Sequence, residues 1–142
     1  MAKQFGANLI SGGEERSIVN VSLPVYLFEP RSYLERITDN WCYLPFFMNK
    51  AADAKDPLER FKFIVALLVG GLHNTCTQYE PFNPILGETL ESTFSDGTRL
   101  YLEQTSHHPP ISHWQVYGRD DLFKFIGYGQ WAAAWRGNAL KG

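Results

Sequence analysis

The sequence predicts an α+β fold in which a mainly helical N-terminal half feeds an antiparallel β-meander. Helix-start signals are concentrated in the first half, at Ser32-x-x-Glu35 and at Asp56-Pro57-Leu58-Glu59. After Thr75 the pattern changes to short strand-like runs separated by turn signals. Aromatic content is 15%, with ten Phe and seven Tyr, which suits a sheet, a large apolar pocket, or both. A chain of 142 residues has the length of one domain. It divides into a polar arm or lid over 1–16, a mainly helical part over 17–75 and an antiparallel sheet over 76–142.

Residues 1–16 are polar and contain Gly and Ser, and they read as a mobile arm. The run IVNVSLPVYLF, 18–28, is β-branched but carries Pro24, which suits an extended segment or an edge strand. Ser32 and Glu35 form a capping-box pattern that predicts a helix over 31–39, and a looser helix follows over 41–53. At the next start Asp56 caps, Pro57 takes the first helical position and Glu59 meets the N-terminal dipole. Leu58, Phe61, Ile64, Val65, Leu68 and Leu72 share one face of that helix. The opposite face is also apolar, so the helix is expected to be buried on both sides. Gly70 and Gly71 each cost ~1 kcal/mol relative to alanine in a helix, which a close helix approach or a ligand against the backbone would offset. Strands are predicted over 87–95, 99–106, 111–118 and 122–131, with hairpin turns at Asp96-Gly97 and at Gly118–Asp121.

A net charge of −2 gives no electrostatic basis for nucleic-acid binding. The longest apolar run, Phe63 to Leu72, spans ~15 Å as a helix, about half of a ~30 Å hydrocarbon core. The N-terminus lacks an apolar leader segment, so no secretory signal is expected. Cys42 and Cys76 form no paired framework and read as two buried thiols in a reducing cytosol.

The stretch EQTSHHPPISHW, Glu103 to Trp114, carries the most chemistry. Leu100, Leu102 and Gln104 alternate onto one face of the preceding strand, and Tyr101, Glu103 and Thr105 onto the other. Pro109 and Pro110 exclude helix for the residues before them and hold His107 and His108 in an extended turn. Two imidazoles at one mouth can grip an anion, and a phosphate beside them favours their protonated form. A purely structural turn with hydrogen-bonded histidines explains the spacing equally well. A metal site is disfavoured because adjacent histidines rarely reach one ion and H-H-x4-H is no known ligand spacing. Ser106 beside His107 is no catalytic triad, and neither G-x-S-x-G nor H-E-x-x-H occurs.

A second stretch, EPFNPILGETLE from Glu80 to Glu91, joins the two halves. Pro81 and Pro84 bracket Asn83 in a rigid connector, and Gly87 lets the chain turn before the first strand. Together these two stretches resemble the signatures of the oxysterol-binding protein-related family, EQVSHHPP and K-P-F-N-P-x-L-G-E-T. SLPVYLFEPRSYLERI, from Ser22, and DPLERF, from Asp56, resemble the family's opening blocks in the same order. The resemblance implies an incomplete antiparallel barrel around a lipid tunnel, with an N-terminal lid and helices as part of the wall. It implies a non-enzymatic activity without cofactor or metal. One lipid, a sterol or phosphatidylserine, is exchanged between membranes, often against phosphatidylinositol 4-phosphate. It further implies a cytoplasmic protein that meets membranes transiently, at their surfaces or contact sites. By the same resemblance His107 and His108 grip the headgroup, Asn83 touches it, and Ile64, Leu68 and Leu72 are expected along the tunnel wall.

Two departures stand out. Glu80 occupies the position of the family lysine. Each such charge is worth ~1 kcal/mol at ~4 Å in water and ~4 kcal/mol at a protein-surface dielectric, so reversing the sign is a swing of roughly 2–8 kcal/mol against a phosphate. The family's lipid-binding domain is also longer. Four or five strands cannot close a barrel around a sterol-sized tunnel. The chain is therefore expected to be a partial domain, and an open sheet edge invites pairing with another chain. That opens an alternative: an interaction module without transfer activity.

Overall fold

The computed structural model describes residues 16–17, 24–76, 79–130, 134–136 and 139–141. The expected arm over 1–15 lies outside the described residues, as does 18–23 of the first extended run. Elements follow in chain order: β1 (Arg16–Ser17), β2 (Phe28–Ser32), α1 (Tyr33–Asp39), α2 (Leu44–Asp53) and α3 (Pro57–Gly71). Then come β3 (Glu80–Phe82), β4 (Thr89–Thr93), β5 (Arg99–His107), β6 (Pro110–Tyr117), β7 (Lys124–Gln130), β8 (Ala134–Arg136) and β9 (Ala139–Lys141).

The helix starts form through the caps expected of them. The Ser32 hydroxyl accepts from the Leu34 N–H at 3.2 Å and opens α1. Glu35 does not complete the capping box; its carboxylate instead accepts from Arg31 Nε at 3.1 Å. Asp56 accepts from the N–H groups of Leu58 and Glu59, and Pro57 occupies the first turn of α3. Arg60 then fastens α3 to the end of α2 by donating to the carbonyls of Ala51 and Ala54 at 3.2 and 2.9 Å.

The sheet is the predicted meander, antiparallel in the order β4-β5-β6-β7. In the first hairpin the Gly97 N–H donates to Phe94 O, and Gly97 takes φ +90°, a left-handed position that closes the turn without strain. Asp96 ties this turn to α2 by accepting from Asn49 Nδ2 at 3.0 Å. The second turn, from Gly118 to Phe123, carries Asp120 and Asp121 at positive φ, which short polar side chains tolerate best after glycine. Two smaller sheets complete the fold: the parallel pair β2-β3, where the rings of Phe28 and Phe82 stack at 4.9 Å, and a short set in the order β1-β8-β9. Among the described residues the four-stranded sheet does not close, so it forms part of a barrel.

One face of this sheet carries the core. Leu100, Leu102 and Val116 meet Leu34, Ile37, Trp41 and Leu44 from the helices, with Leu67 of α3. Burying each such leucine or isoleucine contributes about 1.5–3 kcal/mol, so α1 is held mainly by this contact and not by its seven-residue length.

Two expectations fail here. α3 is not buried on both sides: only Leu67 and Gly71 are buried, whereas Leu58, Phe61, Leu68, Val69 and Leu72 are each more than half exposed. Periodicity records that a face is apolar, and the surface that would cover it is not among the described residues. The thiols of Cys42 and Cys76 are exposed, not buried, because both lie at the solvent-facing ends of helical segments.

Candidate functional site

The two motifs are joined at Gln104. Its N–H donates to Glu88 O at 2.9 Å and its carbonyl accepts from Gly87 N–H at 2.8 Å. Gly87 sits at φ +78°, which allows the connector to fold back onto β5. The Glu88 carboxylate accepts from the Ile85 N–H and stiffens the same loop. The Gln104 side chain is buried, accepting from the Ser112 hydroxyl and donating to Ser106 O at 2.9 Å.

A β-bulge then decides where the histidines point. Gln104 pairs with Ser112 but Ser106 pairs with Ile111, so Thr105 is an extra residue on β5. Simple alternation would send His107 to the outer face with Tyr101 and Glu103. The extra residue reverses the parity and returns His107 to the side of Gln104 and Pro110, its partner in register. The displaced Thr105 hydroxyl lies 2.7 Å from His113 Nδ1 on the outer face. His108 and Pro109 form the two-residue loop, joined by a cis peptide bond, and the Ser106 hydroxyl donates across it to Pro109 O at 2.7 Å.

The result is an open hollow of about 510 Å³. His107, His108, Asn83 and Glu80 all line it, so four of the residues singled out from sequence converge. The two imidazole rings lie 4.6 Å apart at 63°, and both are exposed to the hollow and to solvent. A second, largely apolar hollow of about 340 Å³ lies alongside, lined by Trp41, Leu67, Leu68, Leu72, Trp114 and Phe125. Tyr33, Asn40 and Thr75 line both, so the two adjoin. Leu68 and Leu72 thus reach an apolar wall, whereas Ile64, one turn earlier on α3, lines neither hollow.

Sequence reasoning missed Arg36, Asn40 and Asn74 on the wall of the larger hollow. Arg36 and Asn40 are four positions apart on and just after α1, a polar stripe beside the buried Leu34 and Ile37 that was the available signal. Arg36 is held in place: it bonds Asp39, donates to Asn74 O at 3.0 Å, and its Nε lies 3.6 Å from Glu29 Oε1. Arg31 also grips Asp39, at 2.8 and 3.0 Å, and this charge-assisted bond, against some desolvation, holds the Asp39 carboxyl below its ordinary value.

The hollow offers hydrogen-bond donors and acceptors beside an apolar surface, a lining suited to a guest with one polar end. The Ser112 hydroxyl on its wall donates to Gln104, and the neighbouring Ser106 hydroxyl donates to Pro109 O. Among the described residues no three His, Cys, Asp or Glu side chains cluster to hold a metal, and no helix is long and apolar enough to cross a membrane.

The fold and the two motifs together make a partial barrel with a histidine-rimmed hollow. Residues 13–141 match the family model described as oxysterol-binding protein, and the chain belongs to that family. It is 43% identical over 142 residues to oxysterol-binding protein 9 of Dictyostelium discoideum, covering all of this chain and 32% of that protein. It is 39% identical over 112 residues to oxysterol-binding protein-related protein 1 of Homo sapiens, covering 75% of this chain and 11% of that one. Its fold is similar to the Osh1 ORD domain in complex with ergosterol, with a TM-score of 0.75 and 29% identity over 89% of this chain and 30% of that one. It also resembles the Osh3 ORD of Saccharomyces cerevisiae in complex with PI(4)P, at TM-score 0.65 and 28% identity, over 83% of this chain and 31% of that one. The chain therefore spans about a third or less of the length of these relatives.

Proposed function

We propose that this chain is the headgroup-holding part of a non-enzymatic lipid-binding and lipid-transfer module. Its guest is a membrane lipid, a sterol or a phospholipid such as phosphatidylserine or phosphatidylinositol 4-phosphate, taken up during transient contact with a cytoplasmic membrane surface. The polar end of the guest meets His107, His108 and Asn83, and its apolar body extends toward Leu68 and Leu72. The observation that carries this reading is the convergence of both motifs on one hollow that adjoins an apolar one. The sterol and PI(4)P complexes of the related Osh domains support a lipid as guest. His107→Ala combined with His108→Ala should abolish extraction of lipid from liposomes while the circular dichroism spectrum stays unchanged. Unchanged extraction removes the histidines from the mechanism.

A second reading draws on separate observations: β4 and β7 are the unpaired edges of the four-stranded sheet among the described residues, and α3 carries an exposed apolar face. In that reading the chain pairs with another chain through its sheet edge and transfers nothing. Oligomers free of bound lipid on size-exclusion chromatography favour it over the first.

A further inference from the structure

We propose that the tip of the β3–β4 connector, Ile85 and Leu86, is a wedge that inserts into the interfacial layer of a lipid bilayer. This contact rests on the lipid-transfer reading only in that a membrane is met, and it goes beyond that reading by naming the residues that enter the bilayer.

Ile85 is 71% exposed and Leu86 65%, and both stand outside the hydrophobic core. The tip is a tight turn, Ile85 to Glu88, closed by the Glu88 N–H donating to Ile85 O at 3.0 Å, with Gly87 at φ +78°. The Ile85 N–H donates to the Glu88 carboxylate at 3.0 Å, and the Gly87 N–H donates to Gln104 O at 2.8 Å. Pro84, just before the turn, is buried and has no N–H to satisfy. Three backbone groups of the tip are thus bonded from within the protein. Lipid offers no replacement for a lost hydrogen bond with water, so a loop leaves water readily only when its backbone is bonded in this way.

The tip is also well placed. Thr89 pairs with Glu103 and Gly87 reaches Gln104, so Ile85 and Leu86 stand at the end of the sheet where β5 passes into β6 through His108 and Pro109. The two turns at this end carry no Asp, Glu, Lys or Arg from Pro81 to Gly87 or from Gln104 to Ser112. Glu88, the first acid after the tip, is tied to the Ile85 N–H. An end of the molecule without fixed charge gives up little hydration on entering the headgroup layer. Two side chains are too small a patch for a stable protein interface, which buries about 800 Å² per partner. They suit a bilayer, where even a single myristoyl chain binds only marginally and reversibly. A weak contact of this kind lets a carrier leave the membrane again.

The test is co-sedimentation with sucrose-loaded phosphatidylcholine vesicles at increasing lipid concentration. Ile85→Ser combined with Leu86→Ser should lower the partition coefficient about tenfold or more, because burial of even one aliphatic side chain is worth roughly that factor. Both side chains are exposed and the bonds of the turn are made by backbone and Glu88, so the variant keeps the fold. Leu86→Trp should bind at least as tightly as the parent, and its added indole emission should move to shorter wavelength as vesicles are added. Val25→Ser combined with Tyr26→Ser is the matched control. These two residues are 75% and 69% exposed and precede β2, which runs parallel to β3, so they lie at the opposite end of that pair. The control should leave partition within about twofold, because apolar surface that stays in water contributes nothing to it. A short-chain, soluble phospholipid reads the hollow without any membrane, and the parent and the Ile85/Leu86 variant should bind it equally. Partition that is undetectable in the parent, unchanged in the Ile85/Leu86 variant or lowered as much by the control overturns the wedge. If soluble lipid is bound in that case, the lipid-transfer reading stands without it. Partition that depends on the tip, with no soluble lipid bound, keeps the wedge and overturns that reading.

Discussion

Asp39 accepts from both Arg31 and Arg36 at the end of α1, beside the wall of the hollow. Its carboxyl is held below the ordinary value by the bond from Arg31, so folding favours its charged form. The linked stability is fully present above the unfolded value of about 3.9 and is lost as pH falls through the lower folded value. Asp39→Asn should lower stability at neutral pH by about 1–3 kcal/mol, as for a partly buried charge-assisted pair. It should also flatten the acid limb: urea midpoints between about pH 5 and pH 2 should fall less steeply than in the parent chain. Asp96 responds in the same direction. Burial alone would raise it, but bonds from the Thr98 N–H, Asn49 and the Thr98 hydroxyl outweigh that and hold it low. At this scale the sequence was read only in part. The two motifs that meet at one hollow were legible, since His107, His108 and Asn83 all line it. The way His107 points was not, because a one-residue bulge at Thr105 leaves no trace in an alternation pattern. Arg36 was missed because its partners, the Glu29 carboxylate and the Asn74 carbonyl, lie far apart in the chain.

Helix α3 shows how two neighbouring glycines come to mean different things. A Cβ on Gly71 would lie 2.0 Å from the Asn40 carbonyl oxygen, so α3 approaches the end of α1 backbone to backbone. This is the close approach that its sequence position suggested. A Cβ on Gly70 would meet only Tyr43 Cδ2, at an ordinary 3.5 Å. Gly70→Ala should therefore stabilise by about 0.5–1 kcal/mol, by helix propensity alone. Gly71→Ala should destabilise by about 2–4 kcal/mol, because backbone must move to admit the methyl group. Thermal melts of the two variants check both signs. Helix starts were legible because Ser32 and Asp56 announce them chemically, and the meander was legible because each strand alternates. The single extended segment read over 18–28 was legible only in part: among its described residues Val25–Leu27 form a short 3-10 turn after Pro24, which was read as fitting an edge strand, and Phe28 alone begins β2.

For the whole molecule, the apolar surface divides into a part that holds the fold and a part that does not. Leu67 is buried against the core, whereas Phe61 is 61% exposed on the same helix. Leu67→Ala should cost about 2–5 kcal/mol in urea denaturation. Phe61→Glu should change stability by no more than about 0.5 kcal/mol and should reduce binding of an apolar dye. This division was invisible to the sequence, since both faces of α3 are apolar and only tertiary packing distinguishes them. The same limit applies to Ile64, which shares the stripe of Leu68 and Leu72 but lines neither hollow. The most direct test of the proposed headgroup site uses the imidazole C–H resonances of the four histidines during titration with lipid vesicles. His73, bonded to Gly70 O, and His113, on the outer face beside Thr105, serve as internal controls. The signals of His107 and His108 should move together as lipid is taken up, while those of His73 and His113 stay in place. Bound lipid with His107 and His108 unmoved would contradict the assignment of the hollow as the place where the guest's polar end is held.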